Sequence, residues 1–488
     1  MTAMKSLLLS SASVLVAFGA QAADLPVKAK PVEYVKICNL YGAGFYYMPG
    51  TDTCIKIGGY VRADYSYNTV GGGLPNYTGA PGRQTRADTS DFATRARANM
   101  TFDTRTSTAY GVLRTYESIH IQNENQGTVT VVLPRSFVQW AGFTFGRSQS
   151  FADIFYLDPY QYAGPWIGSS TDANGTNLAA YTFEFGNGVT STSFIEERRS
   201  AGLGRSVVNM SLSNALAVGT QATNSSNGQL FPDFGSALRI DQAWGTLGVF
   251  GVSHDASASY YATQGVACPG GAASAPVTSC GHPDDKLGWA TGGGGTIKLP
   301  MIAAGDQIGA QFVYSRGAAA YAANGHNSGG LFGGGNEVAV GWLTDGVFVT
   351  GSQVELTTAW SVVAAYEHFW VPEVKTSLYG AYLHVDYNAN ATSFICSAVR
   401  GTSSTSNAAF NNVSNCNPDY SLWYVGARTQ WNPAKDFGLG VDVNYTKVET
   451  AFAGTANLGS GIGARPTGSY SIKDQGIVSV LFRAQRNY

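Results

Sequence analysis

The feature that most constrains this chain is a strict period-two alternation, repeated in segments of about ten residues, in which one face is apolar and the other polar yet rarely charged. From Phe437 to Tyr445, the residues Phe437, Leu439, Val441, Val443 and Tyr445 share one side, and Gly438, Gly440, Asp442 and Asn444 the other. Such a strand separates an apolar medium from a wet one, as membrane strands must. A soluble sandwich also alternates, but its outer faces normally carry far more Lys and Glu. Here charged residues make up 13% of the chain, about half the usual quarter, while aromatics reach 12% with 27 Tyr. Beyond the N-terminal segment no apolar run is long enough for a spanning helix.

The same pattern recurs along the chain. Ile57, Val61, Ala63 and Tyr65 oppose Lys56, Tyr60, Arg62 and Asp64. Ile308, Ala310, Phe312 and Tyr314 alternate with Gln307, Gly309, Gln311 and Ser315. Trp423, Val425, Ala427 and Trp431 alternate with Tyr424, Gly426, Arg428 and Gln430. Around 379–387 the outward set is read as Tyr379, Ala381, Leu383, Val385 and Tyr387, with Gly380, Tyr382, His384, Asp386 and Asn388 inward. Short connections near Arg105-Thr106-Ser107, Ala141-Gly142, Asn187-Gly188, Gly245, Pro372-Glu373 and Asn432-Pro433-Ala434 alternate with long ones near 69–90, 150–177, 199–233, 255–286, 317–353, 389–418 and 450–472. The stretch 130–149 does not divide cleanly, and 299–305 exceeds the other short turns. The reading is all-β: a sixteen-stranded antiparallel transmembrane barrel with short periplasmic turns and long extracellular loops. Closure removes the unpaired edges that lipid would not tolerate.

The chain's start reads as an export signal. Lys5 supplies the charge, Leu7 to Phe18 the apolar run, and Ala20-Gln21-Ala22 a small-residue cleavage site. The expected organisation is a signal peptide over 1–22, a periplasmic N-terminal segment over 23–54 and the barrel over 55–488. The six cysteines fall into local pairs, Cys38 with Cys54, Cys268 with Cys280 and Cys396 with Cys416. Fifteen pairings exist on paper; in an exported protein the clustering favours neighbours, each closing one loop. A metal site is disfavoured because no C-x-x-C occurs and His is scarce, and no cofactor is expected. A formal net charge of −2 argues against a nucleic-acid partner.

Specific blocks resemble a known family. Ala22-Ala23-Asp24-Leu25-Pro26, Cys38-Asn39-Leu40-Tyr41-Gly42-Ala43-Gly44-Phe45-Tyr46-Tyr47 and Cys54-Ile55-Lys56-Ile57-Gly58-Gly59-Tyr60-Val61-Arg62 resemble the start of alphaproteobacterial general porins. Phe137-Val138-Gln139-Trp140-Ala141-Gly142-Phe143-Thr144-Phe145-Gly146-Arg147 and Arg239-Ile240-Asp241-Gln242-Ala243-Trp244-Gly245 match as well. The resemblance covers essentially all of the chain after the signal, the long loops least. It implies a Gram-negative outer-membrane homotrimer in which small hydrophilic solutes and ions diffuse passively. It also implies that the loop after the fifth strand, about 150–177, folds inward as the constriction. That loop holds Asp153, Asp158 and Asp172 among Phe151, Phe155, Tyr156, Tyr160 and Trp166. The aromatics would anchor it to the wall and leave carboxylates for the pore.

The facing charges would come from the early strands. Arg95 and Arg97 share a face with Asn99, Thr101 and Asp103, while Ala96, Ala98, Met100 and Phe102 face lipid. Arg62 lies on the polar face of the first strand, and Arg114 falls in the same region. Arginine on the lipid face would cost about 2–4 kcal/mol at the midplane. Arginines opposite carboxylates would set a transverse field across a passage; the plainer alternative is that they form structural pairs or solvate the lumen.

Other classes fit less well. A barrel enzyme needs a nucleophile, a base and an orienting group together, yet His residues are scattered at 120, 254, 282, 326, 368 and 384 and no G-x-S-x-G occurs. His384 and Asp386, on one strand face, read as lumen-lining polar residues. The Gly runs 71–73 and 292–295 lack a phosphate-loop ending; they read as a flexible loop and a closely packed strand. A substrate-specific channel would show saturable transport, and an adhesin a plugged lumen.

Overall fold

The computed structural model describes residues 36–70, 73–75, 92–171, 174–197, 207–212, 224–228, 231–261, 280–324, 330–332, 336–401, 408–458 and 467–488. The expected signal peptide, Cys268, Asp172 and most of the 71–73 Gly run lie outside these residues.

Sixteen strands form the wall: β1 Cys54–Tyr67, β2 Phe92–Thr108, β3 Gly111–Glu124, β4 Thr130–Trp140, β5 Phe143–Ser148, β6 Thr176–Gly186, β7 Val189–Glu197, β8 Asp233–Gln242, β9 Gly245–Asp255, β10 Leu287–Lys298, β11 Gln307–Arg316, β12 Thr358–Val371, β13 Val374–Asp386, β14 Tyr420–Ala434, β15 Phe437–Glu449 and β16 Gln475–Asn487. Each pairs antiparallel with its sequence neighbours. The cylinder closes where β16 pairs with β1, from Tyr60 opposite Asn487 to Tyr67 opposite Val480. No wall strand is left with an open edge. The difficult 130–149 stretch resolves into β4 and the short β5.

Local chemistry sets the turns. Asn187 and Gly188 both have positive φ, 50° and 73°, which is the two-residue turn whose twist matches its flanking strands. The β2–β3 turn falls at Ala109-Tyr110, and the β14–β15 turn at Lys435-Asp436. Both lie a few residues beyond the sequence reading, because their strands continue past Thr106 and Pro433.

Alternation holds around most of the wall. On β15, Val441 and Val443 are 44% and 43% exposed, whereas Asp442 and Asn444 are buried. On β13 the faces are the reverse of the expectation. Leu378 is exposed on the outer surface, and Tyr379, Ala381, Leu383 and Val385 are buried inside. The reason is local dryness: inward-folded loops fill the lumen beside β13, so its inner face is apolar and the sign of the pattern inverts. His384 and Asp386 therefore lie on the outer face, where His384 approaches Trp360 and hydrogen-bonds Ser421 and Asp386.

The long loops are themselves folded. Gly330–Phe332, Glu337–Gly341, Gly468–Ile472, Ala453–Leu458 and Ala408–Asn415 make a five-stranded sheet over the upper rim. A helix spans Ala389–Gly401. Its Ala391, Ile395 and Val399 are buried at the i, i+4, i+8 spacing of one helix face, and Asn388 Oδ1 caps it by accepting from Ala391 N at 2.9 Å. A disulfide joins its Cys396 to Cys416. At the opposite rim Cys38–Cys54 ties the N-terminal segment to the start of β1. Cys280 is disulfide-bonded too.

Candidate functional site: the narrowed lumen

The connection between β5 and β6, described over 149–171 and 174–175, crosses the inside of the barrel. Near its start Ser150 Oγ donates to Glu196 Oε1 at 3.0 Å on β7, and the Phe155 amide donates to Gln311 Oε1 at 2.7 Å on β11. The Phe155 ring lies where any side chain at Gly309 would stand. At the far wall the Tyr162 and Ala163 amides both donate to Asp442 on β15. Asn444 Nδ2 reaches Ala163 O at 2.9 Å, Arg428 Nη1 reaches Pro159 O at 2.6 Å, and the Tyr162 ring occupies the space over Gly440. The wall thus supplies glycines where the loop's rings press on it, and acceptors where its amides end.

A second loop fills the remaining space on one side. Ala318–Ala323, following β11, are all nearly fully buried. Tyr321 donates to Glu196 or Asp233, each oxygen 2.9 Å away, and the Gly168 amide donates to Ala322 O at 2.7 Å. Together with Ile154, Phe155, Phe250, Val313 and Val363 these residues form a dry core against β7 to β12.

What stays open is off-centre, along β14 to β16 and β1 to β4. The upper of two polar cavities, about 820 Å³, runs beside the loop along β2 to β4, from Arg114 towards the short turns up to Glu124 at the top of β3. The lower, of about 590 Å³, lies along β14 to β16 and reaches Glu373 and Lys435 at the short turns. Arg62, Asp158, Tyr162 and Arg483 line both, so the passage is pinched there. Arg62 stacks 4.4 Å over the Tyr60 ring, and Arg483 4.2 Å over Tyr162; such contacts hold guanidinium planes in place.

The expected site residues divide in their surroundings. Arg62, Arg95, Arg97 and Arg114 all line the upper cavity. Arg62 and Arg97 donate to the amide oxygens of Gln485 and Gln122, both at 2.7 Å. Arg95 is nearly buried and donates through Nε to Asp64 at 2.9 Å. Arg114 binds both oxygens of Asp103, each at 3.0 Å, and Arg105 shares that carboxylate. Asp158 lies in the pinch. Asp153 is buried in its own loop, accepting from Ser169 Oγ at 3.0 Å and the Thr171 amide at 2.7 Å. Sequence reading passed over Arg483, Arg135 and Tyr162, and gave Asp64 no role beyond its place on the polar face of β1. Arg483 was legible by the same rule as Arg95, since it alternates with Phe482 and Ala484 on β16. The clamp at Asp442 was not, because it needs the loop's path across the barrel.

An antiparallel cylinder with an apolar exterior, closed on itself and narrowed by its own loop, is an outer-membrane barrel of the porin type. The chain belongs to the porin subfamily, whose family model matches residues 24–481. It is 34% identical over 211 residues to the porin Omp2b of Brucella canis, covering 40% of this chain and 54% of that one. With the porin Omp2a of Brucella ovis it shares 35% over 221 residues, 40% of this chain and 59% of the relative. The chain thus spans less than two thirds of the length of these curated relatives. The outer membrane channel DcaP of Acinetobacter baumannii superposes with a TM-score of 0.52 at 12% identity, over 91% of this chain and 99% of that one, a likeness of fold.

Proposed function

We propose that the chain is a general porin, a passive water-filled channel that lets small hydrophilic solutes and ions cross the outer membrane, with no catalytic step. The observation that carries this reading is the pair of polar cavities that meet beside the loop, lined in common by Arg62, Asp158, Tyr162 and Arg483. Narrowing without filling is what sieving requires. In this reading Arg62, Arg95, Arg97 and Arg114 form one wall of the constriction with Arg483, and Asp158 the other. Asp172 belongs to the same loop and to the same proposal; Asp153 serves by holding the loop's shape. In planar bilayers the purified protein should give stepwise openings with ohmic current. A protein that inserts and never conducts would remove this reading.

The working unit in this proposal is a homotrimer. Glu117 supports it: this carboxylate is exposed on the outer face of β3 at mid-height, beside Thr115 and opposite Phe102 and Ser136. A charge there is unfavourable against lipid but suits a contact with another copy. Losing a charged hydrogen bond costs about 1.5–3 kcal/mol, once per interface. Glu117→Lys should therefore shift the mass measured in mild detergent from trimer towards monomer. A trimer unchanged by this substitution would place the subunit contact elsewhere on the wall.

A further inference from the structure

We propose that the passage selects anions, and among them solutes bearing carboxylate or phosphate groups; this rests on the channel reading above. The argument is an imbalance of available charge. Among the described residues six arginines line the upper cavity, against two lining carboxylates, Glu124 and Asp158. Two further carboxylates near it, Asp64 and Asp103, are each shared between two arginines, so counting both pairs still leaves the lining positive. Asp64 accepts from both Arg95 and Arg483, Asp103 from both Arg105 and Arg114, and Asp153 is buried in hydrogen bonds within its loop.

Arg62 and Arg97 are the centre of the proposal. Each is only half-buried, and among the described residues each donates from Nε to a neutral side-chain amide, of Gln485 and Gln122. A guanidinium carries five N–H donors in a planar fork. With Nε committed to an amide, the terminal nitrogens keep the paired edge that matches a carboxylate or phosphate. The Tyr60 ring under Arg62 orients that fork without neutralising it. An anion moving down the passage thus meets Arg97 in the upper cavity, then the pinch between Arg62 and Arg483. Charge-rich linings of one sign in a narrow lumen raise the local concentration of the opposite ion.

The test is the zero-current potential of reconstituted channels across a potassium chloride gradient at low salt. Wild type should show the sign of chloride selectivity, and added succinate should lower the chloride current more than an equal concentration of a neutral sugar. The double variant R62Q/R97Q should conduct with its chloride-to-potassium permeability ratio reduced about fivefold or more, as expected for charges a few ångströms from the ion path. A wild-type channel that conducts with no selectivity or with cation selectivity overturns the inference and leaves the channel reading standing. That measurement does not depend on how the variant folds. A wild-type protein that inserts without conducting overturns the channel reading and this inference with it.

Discussion

Asp442→Leu should convert a steady channel into a noisy one with a larger open level. Asp442 is fully buried on β15 and is the acceptor on which the constriction loop is fastened at the far wall. The amides of Tyr162 and Ala163 both donate to it, and so does the Tyr379 hydroxyl from β13. Leucine fills the space and accepts nothing. Two loop amides and a phenol would be left facing an apolar side chain, at about 1–3 kcal/mol for each unsatisfied buried group. The wall pairings of β15 with β14 and β16 are backbone hydrogen bonds and survive the change, so the barrel should still close. The cost falls on the docked stretch of the loop, which retains the bonds from Asn444 and Arg428. A loss of about 3 kcal/mol there would raise the undocked population more than a hundredfold. Asp442→Asn, which keeps an acceptor, should lie between the two. Single-channel recording decides it: quiet, wild-type-sized openings in Asp442→Leu would mean that the loop is held by something else.

How far this site could be read in advance depended on whether its residues are specified locally. Wall strands are. A lipid-facing residue and a lumen-facing residue must alternate, and Arg95, Arg97 and Arg62 were placed correctly by parity alone. The same parity points to Arg483. Where the lumen is dry, parity still sorts a strand into two faces but no longer says which is inside. That is what inverted β13, whose Leu383 and Val385 pack against loop residues instead of lipid. The partnerships that shape the passage join positions far apart in sequence, such as Asp442 with Tyr162 or Tyr321 with Glu196. They are consequences of where two loops travel, and no local pattern encodes a route. The helix at Ala389–Gly401 was the exception, a local signal overlooked. Ala391, Ile395 and Val399 have helical spacing after the capping Asn388, inside a segment read only as a loop.

The other large effect is expected at the seam where the chain's first and last wall strands meet. Asp64 on β1 binds Arg95 of β2 and Arg483 of β16 at once, through 2.9 Å and 2.7 Å contacts to Nε. All three side chains are nearly buried. One carboxylate thus offsets two guanidiniums across three adjacent strands, including the pair whose union closes the cylinder. Asp64→Asn removes the charge and keeps the shape. The two arginines then face each other with only the partly exposed Glu124, 3.7 Å from Arg95, as a counter-charge, a loss of about 3–5 kcal/mol by analogy with broken buried pairs. The barrel should unfold at a markedly lower temperature in detergent, followed as the shift between folded and unfolded electrophoretic mobility. Adding Arg95→Gln should recover part of the loss by removing one surplus charge, and the non-additivity of the two changes measures their coupling. The single variant should also displace Arg483 from its stack on Tyr162, altering conductance well below the unfolding temperature. Unchanged thermal stability in Asp64→Asn would mean that water entering from the passage already screens the two arginines, and that the seam is closed by its backbone ladder alone.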